Sequence, residues 1–133
     1  MKDKVIALSL TEVVAVRQDV ATSALQKLLE QIKAEKGIAV AKEKMEAPVK
    51  LENPPKHVPE AYSQIMELEL EFENFKRVFE YVMKYGPSAL EIMEPKEMRV
   101  NLNEAQELVN RLATFMHRFA AAGVGGIVAT PKK

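Results

Sequence analysis

The chain contains no cysteine and no tryptophan, aromatic residues make up only 6% of it, and its charges cancel, 19 Lys and Arg against 19 Asp and Glu. Without thiols there is no disulfide, no thiolate metal site and no cysteine nucleophile. A cancelled charge provides no long-range field to draw in a polyanion, so nucleic acid is not an expected partner. No run approaches the roughly 20 apolar residues that a membrane helix needs. The opening VIALSL passes into TEVVAVRQD without a small-residue cleavage site. An unexported, cytoplasmic protein without membrane contact is the expectation. Abundant Lys and Glu beside scarce Gln give a composition like that of heat-stable proteins.

What is present suffices for a core. With 133 residues, 47% of them hydrophobic and 29% charged, the chain is too apolar for disorder and long enough to fold without staples. It is read as a single α+β domain over 1–133. An N-terminal segment, 1–46, holds an amphipathic helix; a proline-rich connector spans 47–64; a strand–helix–strand–helix unit spans 65–133.

Between Asp19 and Gly37, Ala21, Leu25, Leu28, Leu29 and Ile32 recur at helical spacing, with Asp19 placed to cap the first turn and Gly37 to end the helix. The preceding stretch from Lys4 to Gln18 fits two patterns. Ile6, Leu8, Leu10, Val14 and Val16 alternate as in a strand, whereas Val13, Val16 and Val20 recur as in a helix, and nothing breaks the chain between them. Pro48, Pro54, Pro55 and Pro59 forbid a helix across the connector, although Val49 to Leu51 suits an edge strand.

The strongest periodicity follows. Met66, Leu68, Leu70 and Phe72 alternate with Glu67, Glu69 and Glu71, which is the pattern of a half-buried strand. Glu73 or Asn74 then caps a helix carrying Phe75, Val78, Phe79, Val82 and Met83, which stops at Gly86 and Pro87. Ala89 to Met93 alternates again up to Pro95. Asn103 with Gln106 reads as a capping box opening a last helix, striped by Ala105, Leu108, Val109, Leu112, Phe115, Met116 and Phe119 and running to about Ala122. Ile127 to Ala129 suits a short final strand.

The chemistry-bearing residues are few. Glu67, Glu69 and Glu71 stand roughly 7 Å apart along one strand face. They read first as a solvated face with lysines on the neighbouring strand, and second as a surface for a cation or a basic partner. His57 and His117 share no ligand or triad spacing. The GVGG at 123–126 follows a helix, whereas phosphate-binding glycine loops precede one. No catalytic, cofactor-binding or metal-ligating residue is assigned, and no cofactor is expected. The candidate interface or ligand contacts are Phe79, Met83, Phe115, Met116 and Phe119, on the two most aromatic helices, together with Glu67, Glu69 and Glu71.

The run from Phe79 to Arg99, preceded by MELELEF and followed by a long helix, resembles the C-terminal extension domain of the WYL-domain transcription regulators. Tyr85, Gly86 and Pro87 stand where that family has an aromatic, Gly and Pro. Glu94 and Pro95 match the end of its Leu-Glu-Pro element, and Met98 with Arg99 takes the place of Leu-Arg. The likeness covers roughly 65–119. It implies a ferredoxin-like βαββαβ antiparallel sheet with helices on one face, in a family whose domains are associated with dimer contacts and effector sensing.

Three function classes follow. The leading one is a non-enzymatic interaction or effector-sensing module that acts through homo-oligomerisation, with a small-molecule effector. The second is a metal-dependent carboxylate enzyme using Glu67, Glu69 and Glu91, and the third a structural subunit of a larger complex.

Overall fold

The computed structural model describes residues 3–122. In chain order its elements are β1 (Val5–Ala15), α1 (Gln18–Lys33), β2 (Ile38–Met45), β3 (Val49–Lys50), β4 (Tyr62–Phe72), α2 (Phe75–Tyr85), β5 (Ala89–Glu94) and α3 (Leu102–Ala121). Contacts divide the chain into two compact units, one ending at Met98 and one beginning at Arg99. The proline connector lies inside the first.

The first unit is an antiparallel sheet in the order β2-β4-β1-β5, with β3 pairing the start of β4. Since β4 is antiparallel to both β1 and β2, those two run parallel with β4 between them. By the same logic β4 and β5 run parallel on either side of β1. Each parallel pair is joined through a helix, which is the ferredoxin-like arrangement expected from the sequence.

The ambiguous segment from Lys4 to Gln18 is a strand. All eleven residues of β1 pair with β4, from Val5 opposite Phe72 to Ala15 opposite Tyr62. A long helix there would have buried one stripe every three or four residues. The strand instead buries Val5, Ala7, Ser9 and Thr11 and leaves Ile6, Leu8 and Leu10 on the other face. Met66, Leu68, Leu70 and Phe72 of β4 join the buried side, where Leu25 and Ile32 of α1 and Val78 and Tyr81 of α2 complete one core cluster. Both helices therefore cover the same face. A buried leucine in such a cluster stabilises the fold by roughly 1.5–3 kcal/mol.

Several boundaries differ from the sequence reading, each for a local reason. Arg17, in extended conformation, is the N-cap of α1, and its side chain makes no capping bond. Asp19 sits inside the first turn, with its carboxylate 2.6 Å from the Arg17 guanidinium. The helix stops at Lys33 on a right-handed Ala34, and Gly37 takes its positive φ of 80° in the turn leading to β2. The limits of α2, by contrast, fall where expected: Asn74 caps it, accepting from the Arg77 amide, and Gly86 closes it in the left-handed region with φ 54°. The α3 capping box is formed by Asn101 and Glu104, two residues before the expected pair.

β2 went unread in the sequence. Ile38 and Val40 alternate, but a bulge at Ala41 shifts the register, so the inward positions become Glu43 and Met45. Lys42 and Lys44 then fall on the outward side. A single period-two pattern does not survive that shift. The short edge strand expected at Val49 is present as β3. The expected strand at Ile127 and the GVGG glycines lie outside the described residues.

Candidate functional site

Within the sheet unit, the face away from α1 and α2 carries the residues with the most chemistry. Pairing register sets them in rows, because directly opposed residues share a face. On the central strand β1, Ile6, Leu8 and Leu10 form an apolar row, each half-buried. On β4, Glu71, Glu69 and Glu67 stand directly opposite them in that order. On β5, Glu91 lies opposite Leu8 and Glu94 opposite Ile6. An apolar strip thus runs between two acidic rows.

Beyond β4, edge strand β2 sets Lys42 opposite Glu69 and Lys44 opposite Glu67. The Lys42 ammonium is 3.9 Å from the Glu69 carboxylate, and Lys4 is 3.9 Å from Glu71. Glu69 and Glu71 are therefore neutralised by lysines from neighbouring positions, at distances and exposures where each pair stabilises by under about 1 kcal/mol. Glu91 stands across β1 from Glu69, two strand spacings or roughly 9–10 Å away. That is too far to share an ion, and no group of three His, Asp or Glu among the described residues could hold a metal.

A hollow of about 270 Å³ opens over this face at the β2 bulge, lined by Leu8, Lys42, Lys44, Glu67 and Glu69 among others. A second, of about 310 Å³, lies at the end of the sheet between Lys4, Gly37, Ala39 and Glu71. Both are close to the lower size of small-molecule sites, roughly 300 Å³. By contrast, the space between the end of α1 and α2 measures about 30 Å³, room for a water.

That narrow space is closed by an ionic cluster. Glu35 accepts hydrogen bonds from the Lys84 ammonium and the Tyr85 hydroxyl. These bonds, Lys84 first, hold its carboxyl below the usual range. Burial and the adjacent Glu35 push Tyr85 up to about 12. Arg77 bridges Glu80 at 3.1 Å and Glu73 at 3.4 Å. Lys84 and Arg77 thus each face a carboxylate, and the Glu35–Lys84 and Glu35–Tyr85 contacts tie the end of α1 to α2. Deeper in, the Tyr81 hydroxyl meets Ser9 Oγ at 2.6 Å, and burial raises its pKa although Ser9 and Thr11 oppose the shift. At neutral pH it stays a protonated structural hydroxyl.

The residues singled out from the sequence thus occupy separate places. Glu67, Glu69 and Glu71 form one row on the outer sheet face. Phe79 and Met83 are half-buried on α2, on the opposite side of the sheet. Phe115, Met116 and Phe119 belong to the unit that begins at Arg99, where the Phe115 and Phe119 rings stack with centroids 5.5 Å apart. His57 and His117 are each exposed. The sequence reading did not single out Ile6, Leu8 and Leu10 as a row, nor Lys42 and Lys44 as its flank. The alternation of β1 contained the first signal, and the second depended on β2.

No helix among the described residues is long and apolar enough to cross a membrane. No curated protein and no solved structure matches the chain. The profile of the MJ0538 family matches residues 6–133, nearly the whole length, and the chain belongs to that family.

Proposed function

We propose that the protein is a non-enzymatic interaction module that acts as a homo-oligomer and senses a small effector on the outer face of its sheet. The observation that carries this reading is the apolar row of Ile6, Leu8 and Leu10 set between the glutamates of β4 and those of β5. Such a surface suits a ligand with an apolar body and a positively charged group, which would displace water from Leu8 and face Glu91. The cytoplasm is the compartment that suits a chain without cysteine. Support for sensing and self-association also comes from the likeness of residues 65–119 to the extension domains of WYL regulators.

The test is native mass spectrometry of the protein purified without denaturation. It should report more than one copy per particle and a retained small molecule, and Leu8→Lys should lose that molecule while keeping the copy number. A single copy at micromolar concentration, or a retained molecule indifferent to Leu8→Lys, would sink the proposal.

A further inference from the structure

Helix α3 carries an apolar seam that the reading above does not assign. Leu102, Ala105, Val109, Leu112, Met116 and Phe119 follow one another at intervals of three, four, three, four and three residues. That is the a and d spacing of a coiled-coil seam, with buried Leu108 and half-buried Phe115 beside it on the g flank. The larger residues of this line are exposed: Leu102 by 81%, Val109 by 60%, Leu112 by 45%, Phe119 by 40% and Met116 by 39%. A contiguous apolar line of this kind marks an interaction surface.

The spacing also selects the occupant. When the seam is laid against a second copy of itself in antiparallel sense, a positions meet d positions throughout. Leu102 then faces Phe119, Ala105 faces Met116 and Val109 faces Leu112, and each pair recurs by two-fold symmetry. The contact closes on two copies and leaves no overhanging layer. The smallest residue meets the longest unbranched one, which keeps the interaxial distance even along a helix about 30 Å long. Gln106, Ala113 and Ala120, on the e flank, place no charge beside the seam.

Charge agrees with the antiparallel sense. Glu104 lies in the first turn of α3, Glu107 pairs along the helix with Arg111 at 3.5 Å, and Arg118 and His117 lie in its last turns. The antiparallel register brings Glu104 level with His117 and Arg118 of the other copy, on the same flank as Arg118, and opposes the two helix dipoles favourably. A parallel pair would instead set Glu104 beside Glu104 and Arg118 beside Arg118. The zero net charge of the chain removes the general repulsion between copies.

We infer that α3 is the self-association surface of this protein, pairing antiparallel with α3 of a second copy. This inference rests on the proposed homo-oligomer and deepens it, because it reserves the outer sheet face for the effector. The test uses the full chain with size-exclusion chromatography and light scattering. Wild type should run as a dimer, the doubly substituted Val109→Glu, Met116→Glu chain as a monomer with unchanged far-ultraviolet circular dichroism, and Leu8→Glu as a dimer. A wild-type dimer that survives the double substitution overturns the α3 surface alone, whereas a wild-type monomer overturns the homo-oligomer as well.

A second measurement does not depend on how the glutamate variant folds. The chain has no cysteine of its own, so Ala105→Cys and Met116→Cys introduce unique thiols. Under mild oxidation, a mixture of the two variants should cross-link between unlike chains, with little cross-linking of either variant alone. Efficient cross-linking of each variant to itself would show a parallel pair and refute the antiparallel register.

Discussion

The bond between Ser9 and Tyr81 shows how much of this fold is decided at single residues. Two hydroxyls, each only 1% exposed as residues, meet across 72 positions of sequence and so remove a polar defect from the middle of the core. Tyr81→Phe leaves the Ser9 hydroxyl with a lost partner and should cost about 1–2 kcal/mol in urea unfolding. Ser9→Ala added to it should cost little more, since the pair acts as a unit. Glu35 makes a second prediction. Its carboxyl is held below the usual 4.5, so its contribution is complete above that pH and fades as pH falls through the lowered value. The stability gap between wild type and Glu35→Gln, measured by denaturation at stepped pH, should therefore narrow on the acid side. At the other end, Tyr85 is raised from 10 to about 12, so its contribution is complete below pH 10 and lost as pH climbs through about 12. Tyr85→Phe should blunt that alkaline loss. None of these partners was legible in sequence, because each pair is joined only by the topology.

At the scale of elements, legibility tracked the regularity of the pattern. β4 was readable because its alternation is unbroken from Met66 to Phe72, and α2 because Asn74 and Gly86 punctuate it at both ends. β2 was not, because the bulge at Ala41 moves its inward positions from Ile38 and Val40 to Glu43 and Met45. Half of the candidate site was lost with it. The glutamate row was visible, while Lys42, which pairs with Glu69, belonged to a strand without a signature, and the apolar row lay in a stretch with two competing periods. The α3 cap was misplaced by two residues because Asn101 with Glu104 and Asn103 with Gln106 obey the same spacing. Asn101 is the one that precedes the first residue of the apolar line, Leu102. The two left-handed glycines make the sharpest element-level prediction. Gly86→Ala meets open space and should cost about 1 kcal/mol for its backbone alone. Gly37→Ala carries the same backbone penalty and sets a Cβ 2.7 Å from Arg77 Nε, which must then move away from Glu73 and Glu80. It should lower the unfolding midpoint further than Gly86→Ala in parallel denaturation curves. Asn74→Ala, losing the cap of α2, should cost about 1 kcal/mol.

At the scale of the whole molecule, the fold class could be reached because four period switches in order, with turn residues between them, leave few compact arrangements. What the molecule does depends on surfaces, and surfaces carry weaker patterns than cores. The outer sheet face and the seam of α3 each expose apolar side chains in a defined geometry, one suited to a small ligand and the other to a copy of itself. Both readings require that copies of this chain meet. Sedimentation equilibrium of the full chain over a roughly hundredfold range of concentration tests that requirement most directly. The account predicts a mass that rises with concentration from 14.9 kDa towards twice that value; a constant 14.9 kDa throughout would contradict it.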